Sequence, residues 1–302
     1  MITDRLIEAI IDKQNPTCVG LDTLFDYLPD EMKAGVTNFD GVAERVFDFN
    51  KKLIDTLYDI IPSVKVQIAY YEMYGVAGMK AYEETLKYAS EKGLVVIADA
   101  KRNDIGSTAA CYAKTFLGET QVNEAKAKAF PADYVTVNGY LGTDGIAPFV
   151  DECVKNEKGI FVLVKTSNPS GAEIQNVILE NGVPMYEHMG VLVEKWGEST
   201  VGEYGYSAVG AVVGATHPTE AARLRKVLPH TFFLIPGYGA QGGNAEMLKS
   251  CFGANGLGGV VNNSRGILCA YKKLGGTYYE AARQATVAMQ QDLASVIGKM
   301  GK

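Results

Sequence analysis

Eight short apolar runs rich in β-branched residues, separated by helical patterns across 302 residues, predict an α/β chain folded as a TIM (β/α)8 barrel. Three observations carry that prediction. Each run is apolar at nearly every position, as expected of parallel strands covered on both faces. The segments between the runs repeat their apolar residues at helical spacing. The first run ends in Leu21-Asp22-Thr23-Leu24, without the G-x-G-x-x-G turn that usually follows the first strand of a doubly wound sheet.

Taken in order, the chain opens with Asp4, Glu8 and Asp12 among Leu6, Ile7, Ile10 and Ile11, which reads as an amphipathic helix and not as a signal peptide. Strands are expected at 17–21, 64–68, 94–98, 134–137, 160–164, 208–213, 232–235 and 259–261. Val46, Phe49, Leu53 and Leu57 lie at helical spacing, as do Met185, Met189, Leu192 and Trp196. Ala282, Ala285, Met289, Leu293 and Val296 define a final helix by the same rule. The longer connections, about 23–42 and 168–200, are read as insertions on the barrel rim. No tandem repeat or low-complexity linker divides the chain, so one domain is expected over residues 1–302.

Composition removes several classes of function. The net charge is −6 and no basic run is present, so a nucleic-acid partner is not expected. The five cysteines (Cys18, Cys111, Cys153, Cys251 and Cys269) are odd in number and scattered, which argues against a disulfide framework or structural zinc and for a reduced, cytoplasmic setting. Uncharged stretches such as 204–219 are broken by glycine and proline, so no membrane span is expected. With no HExxH or comparable ligand spacing, no metal site is expected.

A barrel places function at the C-terminal ends of its strands. Those positions hold Asp22, Lys65, Asp99 with Lys101, Asn138, Thr166 with Ser167, Thr216 with His217, Gln241, and Ser264 with Arg265. Residues i and i+2 of an extended chain share a face, so Asp99 and Lys101 are expected to point together into the mouth. Asp104 follows in the loop and Lys65 comes from the second strand, giving two lysines and two aspartates able to alternate. Burying such charges unpaired would cost several kcal/mol per ion, so mutual pairing is close to compulsory. A salt-bridge cluster that merely ties strand ends is the bland alternative. Four charges at the catalytic face favour chemistry.

After the seventh run comes Pro236-Gly237-Tyr238-Gly239-Ala240-Gln241-Gly242-Gly243, and after the eighth Asn263-Ser264-Arg265-Gly266. Loops at these two places form the common phosphate site of TIM barrels. Gln241 can donate a hydrogen bond and Arg265 offers a forked cation. Lys165-Thr166-Ser167-Asn168-Pro169 could read a polar ring edge, although an Asn-Pro turn explains it equally well. His188 and His230 read as structural or exposed, and His217-Pro218 as a helix start. The segment Ala69-Tyr70-Tyr71-Glu72-Met73-Tyr74 is read as rim packing.

The stretch from Asp99 to Ile105, with Thr108 beyond, resembles the Asp-x-Lys-x-x-Asp-Ile hallmark of the orotidine 5′-phosphate decarboxylase family. The resemblance extends to Gly20-Leu21-Asp22, Lys65-Val66-Gln67-Ile68-Ala69, Ser167-Asn168-Pro169, the 236–243 loop and Ser264-Arg265, and the length is similar to that of the family's longer branch. It implies a cofactor-free conversion of orotidine 5′-phosphate to UMP and CO2 by a homodimer with shared active sites. Lys101 would donate the proton to C6, Asp99 would face the departing carboxylate, and Lys65 would pair with the aspartates and reach the ribose. Asp22 would bind ribose hydroxyls, Ser167 the pyrimidine edge, and Gln241 with Arg265 the phosphate, with Ser264 counted among the substrate-binding residues. Asp104, Ile105 and Thr108 would come from the partner subunit. Magnesium-dependent phosphosugar lyases share the Asp-x-Lys-x-x-Asp motif and stand as the alternative, beside a non-catalytic nucleotide-sensing barrel.

Overall fold

The computed structural model describes residues 1–239 and 242–301. Its centre is a closed parallel barrel of eight strands: β1 Thr17–Gly20, β2 Ser63–Gln67, β3 Val95–Arg102, β4 Tyr134–Val137, β5 Gly159–Lys165, β6 Val209–Val213, β7 Phe233–Pro236 and β8 Gly259–Asn263. Each strand pairs with its neighbours in sequence, and β8 closes on β1 through Thr17 opposite Val261 and Val19 opposite Asn263. Helices such as Phe39–Leu57, Gly75–Glu91, Gly106–Leu117, Thr143–Asn156 and Tyr278–Ile297 form the outer layer. The barrel predicted from the sequence is the barrel observed.

The period-2 alternation of the strands explains both cores. Outward residues such as Val64, Val96, Val135, Val162, Ala211 and Val261 pack against the helices. Inward residues Cys18, Ile97, Tyr134, Phe161, Leu234 and Val260 meet Ile2, Leu6, Ile7 and Ile10 of the N-terminal helix Ile2–Lys13, which closes the bottom of the barrel. Continuing upward along the same inward face, the ladder turns polar: Lys65 above Ser63, Asp99 above Ile97, Thr136 above Tyr134, Asn262 above Val260. One helix therefore seals the apolar end, and the polar end stays open.

Three expectations change. β3 continues past the expected Ala98 to Arg102, so Asp99 and Lys101 lie within the strand. Of the segment read as an insertion over 168–200, the helix Met185–Gly197 packs on β5 and β6 as a regular barrel helix, which leaves 166–184 as the true excursion. A small antiparallel hairpin, Thr120–Val122 with Ala125–Ala127, was not expected; its exposed, three-residue strands are too short to carry a pattern. No helix among the described residues is long and apolar enough to cross a membrane.

Candidate active site

A cavity of about 440 Å³ opens at the polar end of the barrel, a size typical of small-molecule sites. Its charged floor is a single chain of alternating ions. Lys65 Nζ lies 3.1 Å from Asp22 Oδ1 and 2.8 Å from Asp99 Oδ2, and Lys101 Nζ lies 2.5 Å from Asp99 Oδ1. Hydroxyls complete the two carboxylates: Ser264 donates to Asp22 at 2.7 Å and Thr136 to Asp99 at 2.9 Å. Burial works to discharge Lys65, but Asp22 and Asp99 together outweigh it and hold its pKa well above the ordinary lysine value. Burial is likewise the largest single influence on Asp99 and pushes its pKa up, yet Lys65 and Lys101 together pull it far below the usual carboxylate range. Both groups are locked in their charged forms. Lys101 differs from Lys65 in access, with its side chain 46% exposed against 5%.

Lys101 reaches the cavity by another route than its spacing implies. It does not sit in regular extended chain: its φ is +49°, and the pairing of β3 with β4 shifts between Ala98 and Arg102. A left-handed lysine costs on the order of 1–3 kcal/mol, a strain that concentrates at functional sites. The bulge is fixed by Thr136, whose hydroxyl accepts the Lys101 backbone N–H at 3.0 Å while donating to Asp99. One threonine thus sets both the backbone of the lysine and the carboxylate it pairs with.

With this geometry in place, comparison with known proteins becomes decisive. Residues 17–273 match the sequence model of the orotidine 5′-phosphate decarboxylase / HUMPS family. The chain belongs to that family. It is 44% identical over 297 residues to an orotidine 5′-phosphate decarboxylase of Clostridium botulinum (strain Loch Maree / Type A3), covering 97% of this chain and 99% of that one. Identity to the orotidine 5′-phosphate decarboxylase of Clostridium acetobutylicum is 42% over 301 residues, covering 98% of this chain and all of the other. The solved structure of Leishmania donovani OMP decarboxylase superposes with a TM-score of 0.73 at 26% identity, covering 98% of both chains.

The cavity gathers most of the residues singled out from the sequence. Asp22, Lys65, Asp99, Lys101, Ser167, Ser264 and Arg265 all line it, as does Thr166. Gln241 lies outside the described residues. Asp104, Ile105 and Thr108 do not line the cavity of their own chain. Asp104 Oδ1 accepts the N–H of Ile105 at 2.8 Å, and Ile105 is 54% exposed. The second aspartate of the alternating network is therefore Asp22, not Asp104. Asn138 also leaves the ring, because it caps the turn Gly139–Leu141 through the N–H of Tyr140. His217 stands at the start of the helix Pro218–Val227 and does not line the cavity, as its reading as a helix start implied.

Sequence reasoning missed Thr136, Asn262, Tyr27 and Tyr70, which also line the cavity. Tyr70 belongs to the segment read as rim packing; it packs there and also forms wall. Thr136 and Asn262 were findable. Both stand at inward positions one step above an inward apolar residue, within their strands and not in the loops after them. Among the described residues, no group of three or more His, Cys, Asp or Glu is placed to hold a metal ion.

Proposed function

We propose that this protein decarboxylates orotidine 5′-phosphate to UMP and CO2 in pyrimidine nucleotide synthesis, with Lys101 as the proton donor and one barrel domain carrying the whole activity. The observation that carries the reading is the unbroken chain Asp22–Lys65–Asp99–Lys101 inside one cavity that also holds Ser167 and Arg265. Its family and its near-full-length relatives agree with it.

Loss of CO2 breaks the C6–carboxyl bond and leaves its electron pair on C6, where no ring carbonyl delocalises it well. Without an electron sink, stabilisation must come from a fixed cation near C6 and from prompt protonation. Lys101 suits both tasks: its ammonium opposes the developing negative charge and then passes one proton to C6. Its partial exposure lets solvent restore that proton. Asp99, held by three donors, would face the departing carboxylate, and Lys65 keeps Asp99 ionised. Asp22 and Ser264 would take the ribose hydroxyls, Ser167 the pyrimidine edge, and Arg265 with Gln241 the phosphate. Binding energy from the phosphate would offset the cost of holding two carboxylates close.

We further infer a cytoplasmic homodimer, in which Asp104, Ile105 and Thr108 complete the partner's cavity. The exposure of Ile105 and Thr108, and the absence of all three residues from the lining of their own chain's cavity, support this. The reading calls for no cofactor. The test is release of CO2 from orotidine 5′-phosphate by the purified protein under excess chelator. Turnover is expected to be undiminished. Turnover abolished by chelation and restored by magnesium would favour a phosphosugar lyase, and no turnover under any condition would sink the assignment.

A further inference from the structure

The excursion between β5 and the helix Met185–Gly197 begins at the residues assigned above to the pyrimidine edge. Its fold is specific. A turn at Pro169–Gly171 and a single helical turn, Ala172–Gln175, bring the chain back onto the end of β5. There two consecutive residues grip Lys165, the last residue of β5, and Thr166 just after it. Gln175 Oε1 accepts the Thr166 backbone N–H at 3.0 Å, and Gln175 Nε2 donates to Thr166 Oγ1 at 2.7 Å. Lys165 Nζ donates to Asn176 Oδ1 at 2.6 Å. Thr166 faces the cavity, whereas Lys165 is 1% exposed beside Tyr186, with its pKa lowered by burial. The clip therefore holds both faces of the strand end.

Close packing leaves it little play. A side chain at Gly171 would come within 2.9 Å of Thr166 Oγ1 and 3.1 Å of Gln175 Oε1. A side chain at Gly214 would come within 2.8 Å of the Ser167 backbone nitrogen. The Thr166 hydroxyl in turn donates to Asn168 Oδ1 at 2.6 Å. Ser167 is thus fixed between a clipped neighbour on one side and the tight approach of Gly214, just after β6, on the other.

We propose that Gln175, seconded by Asn176, is a positioning residue for base recognition: it fixes Thr166 and so presents Ser167 to the pyrimidine, without touching substrate itself. This rests on the decarboxylase reading and adds the part of the substrate it serves. It makes a prediction that a merely structural role does not, because the clip lies at the base end of the cavity and not at the Asp22 or Arg265 end.

The experiment compares UMP with ribose 5-phosphate, which lacks the base, by calorimetric titration. Loss of one or two neutral hydrogen bonds corresponds to about tenfold in affinity. Gln175→Ala is expected to weaken UMP binding by about that factor and leave ribose 5-phosphate binding within about twofold. Gln175→Glu keeps an acceptor for the Thr166 N–H and is expected to restore most of the UMP affinity. Should the alanine variant not fold, the near-isosteric Gln175→Met carries the same comparison. Equal weakening of both ligands, no weakening of either, or no recovery with glutamate would overturn the proposal. Wild-type protein that fails to bind UMP would overturn the decarboxylase reading and this inference with it, whereas an unaffected Gln175→Ala beside a UMP-binding wild type overturns the inference alone.

Discussion

Asp99 receives donors from Lys65, Lys101 and Thr136 and is 6% exposed, so its ionisation is tied to folding. Its folded pKa lies below the unfolded value of about 3.9, so the stabilisation it contributes is fully present above that pH and is lost as pH falls through the folded pKa. Lys65 has the opposite sign: its contribution is present below about pH 10.4 and is lost only as pH rises through its raised pKa. Across the neutral range neither charge changes. Asp99→Asn should therefore destabilise the protein at about pH 7 by on the order of 1–3 kcal/mol, because buried Lys65 is left with Asp22 alone and half-exposed Lys101 loses its counter-ion. Urea unfolding should show the gap to wild type narrowing once the pH drops below about 4. A gap that stays constant down to about pH 3 would mean that Asp99 is not held ionised by its neighbours. The pairing of Asp99 and Lys101 could be read from their spacing. The left-handed backbone that delivers Lys101, and the threonine that fixes it, could not, because they depend on a register shift between two strands distant in sequence.

At the scale of elements, the N-terminal helix Ile2–Lys13 and the charged cavity share the barrel interior but sit at opposite ends of it. Leu6 is fully buried in the lower core. Leu6→Ala should cost about 2–5 kcal/mol of stability through the lost burial and the hole it leaves. Because apolar layers separate it from Lys65 and Asp99, kcat/KM of the folded variant should stay within about twofold of wild type, by the additivity expected of distant sites. A loss of activity without unfolding would show that the helix sets the geometry of the mouth as well as sealing the floor. The elements were legible where their pattern is local: the strands run apolar on both faces, and the helix of Phe39–Leu57 buries Val46, Phe49, Leu53 and Leu57 as their spacing requires. Boundaries were less legible where inward positions turn polar. The eighth run was expected to stop at Val261, although Asn262 and Asn263 continue β8. Polar residues read as loop by composition are strand here because the cavity, and not an apolar core, receives them.

For the whole molecule, the decisive question is whether one chain makes a complete site. Lys101 lines the cavity of its own chain, while Asp104, three residues on, does not line it and is followed by the exposed Ile105 and Thr108. A two-fold dimer with shared sites would carry Asp104 of one subunit into the cavity of the other, and a single symmetric interface would complete both sites at once. Lys101→Ala and Asp104→Ala homodimers should each be nearly inactive. When the two are denatured together in equal amounts and refolded, about half of the dimers should be mixed, by random pairing about a two-fold interface. In each mixed dimer one site receives both substitutions, and the other receives a native Lys101 from one subunit and a native Asp104 from its partner. Recovered activity should therefore approach about one quarter of the wild-type value per site. If Asp104 served the cavity of its own chain, every site in the mixture would carry one defect and no activity would return. The same mixture run on a sizing column separates the two ways of failing. Dimers without recovery would remove Asp104 from the partner's site, whereas monomers would remove the interface itself and leave the cavity of the single chain to account for all the chemistry.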